Sequence, residues 1–151
     1  MKVKIEKTMD VPFPKRATDG AAAYDVYAAQ NELVLHGRQV ITLGFGMEIP
    51  KGYEAKIEPR SGYSSKGFAG FEDMDFKEER RYDCDVIVGK IDSDYRGVVG
   101  VIVNNRDKGF FIRKGQRIAQ MTFYKVEDVE FEIGQLSETQ RGIGGFGHTK
   151  I

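Results

Sequence analysis

The sequence predicts an all-β protein, and three observations carry that expectation. Apolar residues recur with a period of two, not 3.6. Glycine is abundant, at eighteen of 151 residues, while prolines number four. Ten Phe and seven Tyr are distributed among short apolar runs. Short strands at close spacing with glycine turns between them read as a β-sandwich or barrel.

Each element follows from its local pattern. Val3 and Ile5 alternate with Lys2, Lys4 and Glu6. Residues 20–29, rich in alanine, read as one packed small-residue strand in which Asp25 is the odd member. A buried carboxylate is costly without a partner, so Asp25 calls for a cation or a hydrated metal beside it. Leu33, Val34 and Leu35 end at a His36-Gly37 turn. Residues 40–43, Phe45, Met47 and Ile49 run on to Pro50-Lys51-Gly52. Tyr53, Ala55 and Ile57 alternate with Glu54, Lys56 and Glu58. Residues 61–66, after Pro59, predict a short turn of helix. Residues 71–82 are polar enough for an exposed helix, with Glu78, Glu79, Arg80 and Arg81 inside it. The run 98–103 is broken only by Gly100. Residues 118–124 form a further strand-like run, and Val126, Val129, Phe131 and Ile133 extend the set. Ser137-Glu138-Thr139-Gln140 spells a capping box, but the glycines that follow cannot sustain a helix.

The length bounds one domain. Lys and Arg total 23 and so do Asp and Glu, giving a formal net charge of zero. That balance argues against a nucleic-acid binder, which lives on phosphate neutralisation. No apolar stretch approaches the ~20 residues of a membrane span. A single Cys84 excludes an intrachain disulfide, and with only His36 and His148 there is no zinc cage. Residues 1–7 lack the apolar region of a signal peptide, which predicts a cytoplasmic protein without a targeting signal.

Three segments concentrate chemistry. Pro59-Arg60-Ser61-Gly62-Tyr63-Ser64-Ser65-Lys66-Gly67 offers charge, hydroxyl donors and close backbone approach, a composition suited to phosphate oxygens and equally found in a surface turn. Gly89-Lys90-Ile91-Asp92-Ser93-Asp94-Tyr95-Arg96-Gly97 contains acids two apart. One held beside a water can take its proton during attack on phosphorus, although solvated hairpin acids share that spelling. The tail from Arg141 through Phe146 to Lys150 spells G-x-G-x-x-G. It has no helix to follow, so it is no dinucleotide fingerprint. Consecutive backbone N–H groups there can still wrap an anion.

In order and spelling, five segments (21–29, 59–66, 89–97, 115–120 and 141–149) resemble the five motifs of the trimeric dUTPase family. The resemblance spans about residues 15–149. It implies a distorted jelly roll with a flexible glycine-rich C-terminal arm, assembled as a homotrimer with shared active sites. It implies hydrolysis of dUTP to dUMP and pyrophosphate, with Mg²⁺ on the triphosphate. Asp92 matches the acid that activates water, and Tyr95 the ring beneath the deoxyribose. Arg60, Ser61 and Gly62 match the phosphate-contacting segment, and Gln120 the glutamine near the phosphates. Asp25 resembles the acid that reaches the metal through water. Arg141 looks like the γ-phosphate arginine and Phe146, followed by Gly147, like the ring that covers uracil. Ile91 and Gly100 fall on the hairpin that reads the uracil edge. The implied layout is a body of 1–140 and an arm of 141–151. Alternatives are a deoxycytidine triphosphate deaminase of the same fold, which needs a catalytic Glu, and a dUTPase-like module that binds a regulatory protein. The chain departs from the family at Lys90, at His148, and in a longer connection over residues 68–85. Seven acids in that stretch predict an exposed excursion beside the nucleotide site.

Overall fold

The computed structural model describes residues 1–145. Twelve strands and one short helix follow in chain order. They are β1 (Lys4–Lys7), β2 (Tyr24–Tyr27), β3 (Glu32–Val34), β4 (Gly37–Glu48), β5 (Tyr53–Glu58), α1 (Ser61–Lys66), β6 (Phe68–Phe71), β7 (Glu79–Tyr82), β8 (Cys84–Ile87), β9 (Gly89–Ile91), β10 (Val98–Asn105), β11 (Phe110–Ile112) and β12 (Arg117–Lys125). They form three four-stranded antiparallel sheets, ordered β1-β4-β10-β8, β3-β11-β6-β7 and β2-β12-β5-β9. This is the distorted jelly roll that the resemblance implies.

The period-two pattern translates directly into burial. On β4, Ile41, Leu43, Phe45 and Met47 face the core, and on β10 Val99, Val101 and Val103 do the same. β12 contributes Ile118, Ala119 and Met121, and β5 contributes Ala55 and Ile57. One contiguous cluster joins all three sheets. Cys84 sits inside it, and burial pushes its thiol up to about 12, so it stays protonated and inert.

Three expectations are corrected. Residues 71–82 form no helix. The stretch 68–82 is a β-hairpin, with Phe68 opposite Tyr82 and Phe71 opposite Glu79. Its aromatics decide this. Phe68 and Tyr82 pack on buried Phe110, with Tyr82 stacked at 4.2 Å between ring centroids. A Cβ on Gly70 would stand 2.2 Å from the Phe110 ring, so glycine is required there. The excursion is therefore exposed on its charged residues and Met74, and Phe68 and Tyr82 are anchored in the core. The small-residue strand is likewise shorter than its composition suggests: β2 spans only Tyr24–Tyr27, and residues 21–23 are loop. Finally, β12 ends at Lys125, and residues 126–139 carry no strand, although Phe131 and Ile133 are almost fully exposed.

Candidate active site

Nine of the residues singled out by the sequence fall into two clefts that share no lining residue. The larger, about 690 Å³, lies where β2, α1, the β6–β7 hairpin and the start of β12 meet. Asp25, Arg60, Ser61, Gly62 and Gln120 all line it. Asp25 and Gln120 are cross-strand partners on β2 and β12, which places both side chains on one face of the sheet. The partner that Asp25 requires is present twice. Arg60 Nε donates to Oδ1 at 3.2 Å and Arg117 Nη1 to Oδ2 at 3.3 Å.

The floor of this cleft is Tyr63 on α1. Its hydroxyl donates to the Arg117 carbonyl at 2.7 Å and accepts from Gln116 Nε2 at 3.2 Å. Burial raises its pKa, so the phenol is neutral and serves as a fixed platform. The Arg60 guanidinium lies 5.5 Å from its ring centroid. Gly62 has open space where a Cβ would stand. Its backbone does not demand glycine, since its φ is not positive.

Sequence reasoning missed Arg117, Gln116, Glu79 and Arg81 on this cleft. For Arg117 the reason is geometric. Positions 117 and 120 face opposite sides of a regular strand, but a bulge between Arg117 and Ala119 shifts the register. Both side chains then reach the cleft. A bulge leaves no mark in this spelling.

The second cleft, about 250 Å³, lies at the edge strand β9 and the start of β10. Ile91, Asp92, Tyr95 and Gly100 line it, with Val40, Ile57, Gly89, Val98 and Ile102 as apolar walls. Asp92 opens a tight turn, closed by the Tyr95 N–H donating to its carbonyl at 3.2 Å. Tyr95 is folded back so that its hydroxyl donates to the Val98 carbonyl at 3.2 Å. A Cβ on Gly97 would collide with the ring at 2.5 Å from Cζ. Gly100 sits at a register shift against β4, where a Cβ would meet Val40 at 2.4 Å. Those two glycines let the Tyr95 ring and the Val40 side chain pack against the backbone. Asp94 lies outside both clefts, so only one of the two acids is placed for chemistry.

Lys90 has a structural partner. Its ammonium pairs with Glu54 at 2.5 Å, and Lys56 approaches the same carboxylate at 3.5 Å. Glu54 is only 8% exposed. The Lys90 hydrogen bond holds the Glu54 carboxyl below the usual range, and Glu54 in turn raises Lys90. The departure at position 90 is thus half of an ion pair across β5 and β9, beside Asp92.

Arg141 is exposed and reaches neither cleft. Its Nε donates to the Gly144 carbonyl at 2.8 Å within its own turn. Phe146, Gly147 and His148 lie outside the described residues. Among the described residues no group of three or more His, Cys, Asp or Glu is arranged to hold a metal. Among the described residues, likewise, no helix is long and apolar enough to cross a membrane.

A family model described as dUTPase matches residues 9–150. The deoxyuridine 5'-triphosphate nucleotidohydrolase of Finegoldia magna is 40% identical over 154 aligned positions, covering 99% of both chains. The mitochondrial deoxyuridine 5'-triphosphate nucleotidohydrolase of Dictyostelium discoideum is 39% identical, over 98% of this chain and 76% of its own. Among solved structures, the Staphylococcus bacteriophage 80alpha dUTPase with dUpNHpp superposes with a TM-score of 0.82 at 22% identity, covering 99% of both chains. A variant of the dUTPase from phage phi11 of S. aureus, whose structure reveals the coordination of a structural Mg(II) ion, gives a TM-score of 0.72 at 20% identity over 91% of this chain and 98% of its own.

Proposed function

The chain belongs to the dUTPase family, and we propose on that basis that it hydrolyses dUTP to dUMP and pyrophosphate. One observation supports this most directly. Every described residue that the resemblance assigns to substrate or metal, Arg141 apart, lines one of two clefts. One is rich in arginine, and the other is small and mostly apolar with an acid at its rim.

The apolar cleft fits the base and sugar. Backbone of β9 and β10 offers N–H and C=O groups to the uracil edge beside Ile91 and Gly100. Tyr95 supplies a flat face for the deoxyribose and leaves little room for a further hydroxyl. Asp92 accepts a proton from a water whose oxygen bonds to the α-phosphorus. The bond from that phosphorus to the bridging oxygen breaks, and its electron pair leaves with pyrophosphate. Arg60, with Ser61 and Gln120, holds the phosphates, and guanidinium geometry suits their paired oxygens.

Mg²⁺ fits this donor set as an ion carried on the triphosphate. Both Asp25 oxygens are already paired with arginines, so Asp25 would reach the ion through water. When bound, Mg²⁺ supplies charge neutralisation on the phosphate oxygens.

The working unit in this reading is a homotrimer. Ala55 faces Ile91 across β5 and β9, so Asp92 stands level with Glu54. Arg60 is six residues further along the same strand direction, roughly 20 Å at ~3.3 Å per residue. One chain cannot bring its own Asp92 to phosphates held on its own Arg60. The alternating Val129, Phe131 and Ile133 supply exposed apolar surface for neighbouring copies. Residues 141–151, carrying Arg141, Phe146 and Gly147, close as an arm over a site built by the body. A net charge of zero suits a free nucleotide as substrate better than a nucleic acid, and the enzyme is assigned to the cytoplasm.

The test is incubation with dUTP, dCTP, dTTP and UTP in the presence of Mg²⁺, with pyrophosphate and ammonia both assayed. Pyrophosphate from dUTP alone is the expected result. Ammonia from dCTP, or no turnover of dUTP, refutes it.

A further inference from the structure

The β6–β7 hairpin belongs to the stretch that makes this chain longer than the family pattern between its second and third motifs. Its pleat divides its side chains between two faces. Residues directly paired across the two strands share a face. Phe68 and Tyr82, with Gly70, turn toward Phe110 and the core. Ala69, paired with Arg81, and Glu79 all line the arginine-rich cleft. The hairpin therefore presents one anion and one cation to the space beside Arg60 and Asp25.

Arg81 is held there but not neutralised as its neighbours are. Its Nη1 donates to the Gly67 carbonyl at 3.2 Å, and its guanidinium lies 5.7 Å from the Tyr63 ring centroid. Arg60 packs on that same ring. Arg60 and Arg117 share the Asp25 carboxylate, whereas the nearest carboxylate oxygen to Arg81 belongs to Glu79, at 3.6 Å, beyond hydrogen-bond distance. The cleft thus carries three guanidiniums against two carboxylates, and each makes one hydrogen bond among the described residues: Arg60 and Arg117 to the Asp25 carboxylate, Arg81 to a neutral carbonyl, which leaves its charge the least compensated by hydrogen bonding. Gly67 makes the arrangement possible. Its φ of +86° ends α1, and a Cβ there would stand 2.6 Å from the Tyr82 carbonyl oxygen.

We propose that Arg81 is a substrate-binding residue supplied by the inserted hairpin, contacting the pyrophosphate portion of the nucleoside triphosphate. This rests on the dUTP reading above. Glu79, on the same face, opposes the same phosphates and limits how tightly they are held.

The experiment compares the full chain with Arg81→Met, Arg81→Lys and Glu79→Gln, at saturating Mg²⁺. Calorimetric titration with dUpNHpp and with dUMP accompanies steady-state kinetics on dUTP. Loss of a charge-assisted hydrogen bond weakens binding by about tenfold or more. Arg81→Met should raise KM for dUTP and Kd for dUpNHpp by that factor, leave dUMP binding unchanged, and be partly rescued in Arg81→Lys. Glu79→Gln should tighten dUpNHpp, and this variant decides the matter if Arg81→Met does not fold. Unchanged dUpNHpp affinity in Arg81→Met, or equal weakening of dUMP, overturns the proposal. An unmodified protein that releases no pyrophosphate from dUTP instead overturns the reading beneath it.

Discussion

Mixing two inactive variants, Arg60→Gln and Asp92→Asn, should restore activity if each catalytic site is assembled from different chains. The structure sets the expected size. The two clefts share no lining residue, and Asp92 is displaced from Arg60 by roughly 20 Å along β5. A general base must lie within hydrogen-bond reach of its proton, or one water away. Each working site therefore needs an intact arginine cleft from one chain and an intact Asp92 from another. In randomly mixed trimers at equal ratio, about a quarter of sites receive both. The assay is pyrophosphate release from dUTP after co-refolding, with subunit exchange verified by native mass spectrometry. Recovery near a quarter of the unmodified rate is expected. Activity no greater than the sum of the two separate variants, in verified mixed trimers, would refute shared sites and with them the geometric argument.

Three further outcomes are expected of the same molecule. Asp92→Asn should lower kcat on dUTP by about 10²–10⁴-fold while dUpNHpp still binds, measured by steady-state kinetics and calorimetry; a variant keeping a tenth of the rate removes Asp92 as the base. Gly70→Ala should destabilise the fold by about 1–3 kcal/mol, because its Cβ enters the Phe110 ring and Phe110 is pinned by Tyr82 and Phe68; a urea midpoint that does not move counts against the packing described. Glu54, Glu72 and Asp83 are held below the usual carboxylate range, chiefly by hydrogen bonds from Lys90, Lys108 and Arg106 respectively. The unfolded chain binds more protons at low pH, so stability is full above the unfolded carboxylate value of about 4 and falls as pH drops through the lower folded values. Urea midpoints should decline from pH 5 to pH 3, and less steeply in Lys90→Met.

The hairpin also shows why a charged surface segment can mislead a sequence reading. Glu78, Glu79, Arg80 and Arg81 look like an exposed helix face because local composition reports solvation well and backbone geometry poorly. What folds the segment into strands is Phe110, some thirty residues away, whose ring receives Tyr82 and Phe68. Long-range packing of that kind overrides local propensity. Val126, Val129, Phe131 and Ile133 show the converse. They carry a strand-like alternation, yet no strand forms in the isolated chain, because a strand needs an edge to pair with.

Sequence alone determined the β class, the five ordered motifs and nine of the cleft residues. Period-two burial and glycine turns are local properties, and Asp25, Arg60, Gln120, Asp92 and Tyr95 are chemically distinctive where they stand. It also required a partner for Asp25, since the cost of a buried charge holds in any fold. Tertiary structure alone decided who that partner is. Arg117 reaches Asp25 only because a bulge in β12 re-aims it, and Arg60 only because α1 docks against β12. It alone separated the motifs into two clefts, since the distance between Arg60 and Asp92 follows from the β5–β9 register. And it alone turned Arg81 and Glu79 toward the arginine-rich cleft, because the side a strand residue faces is set by what its partner strand buries.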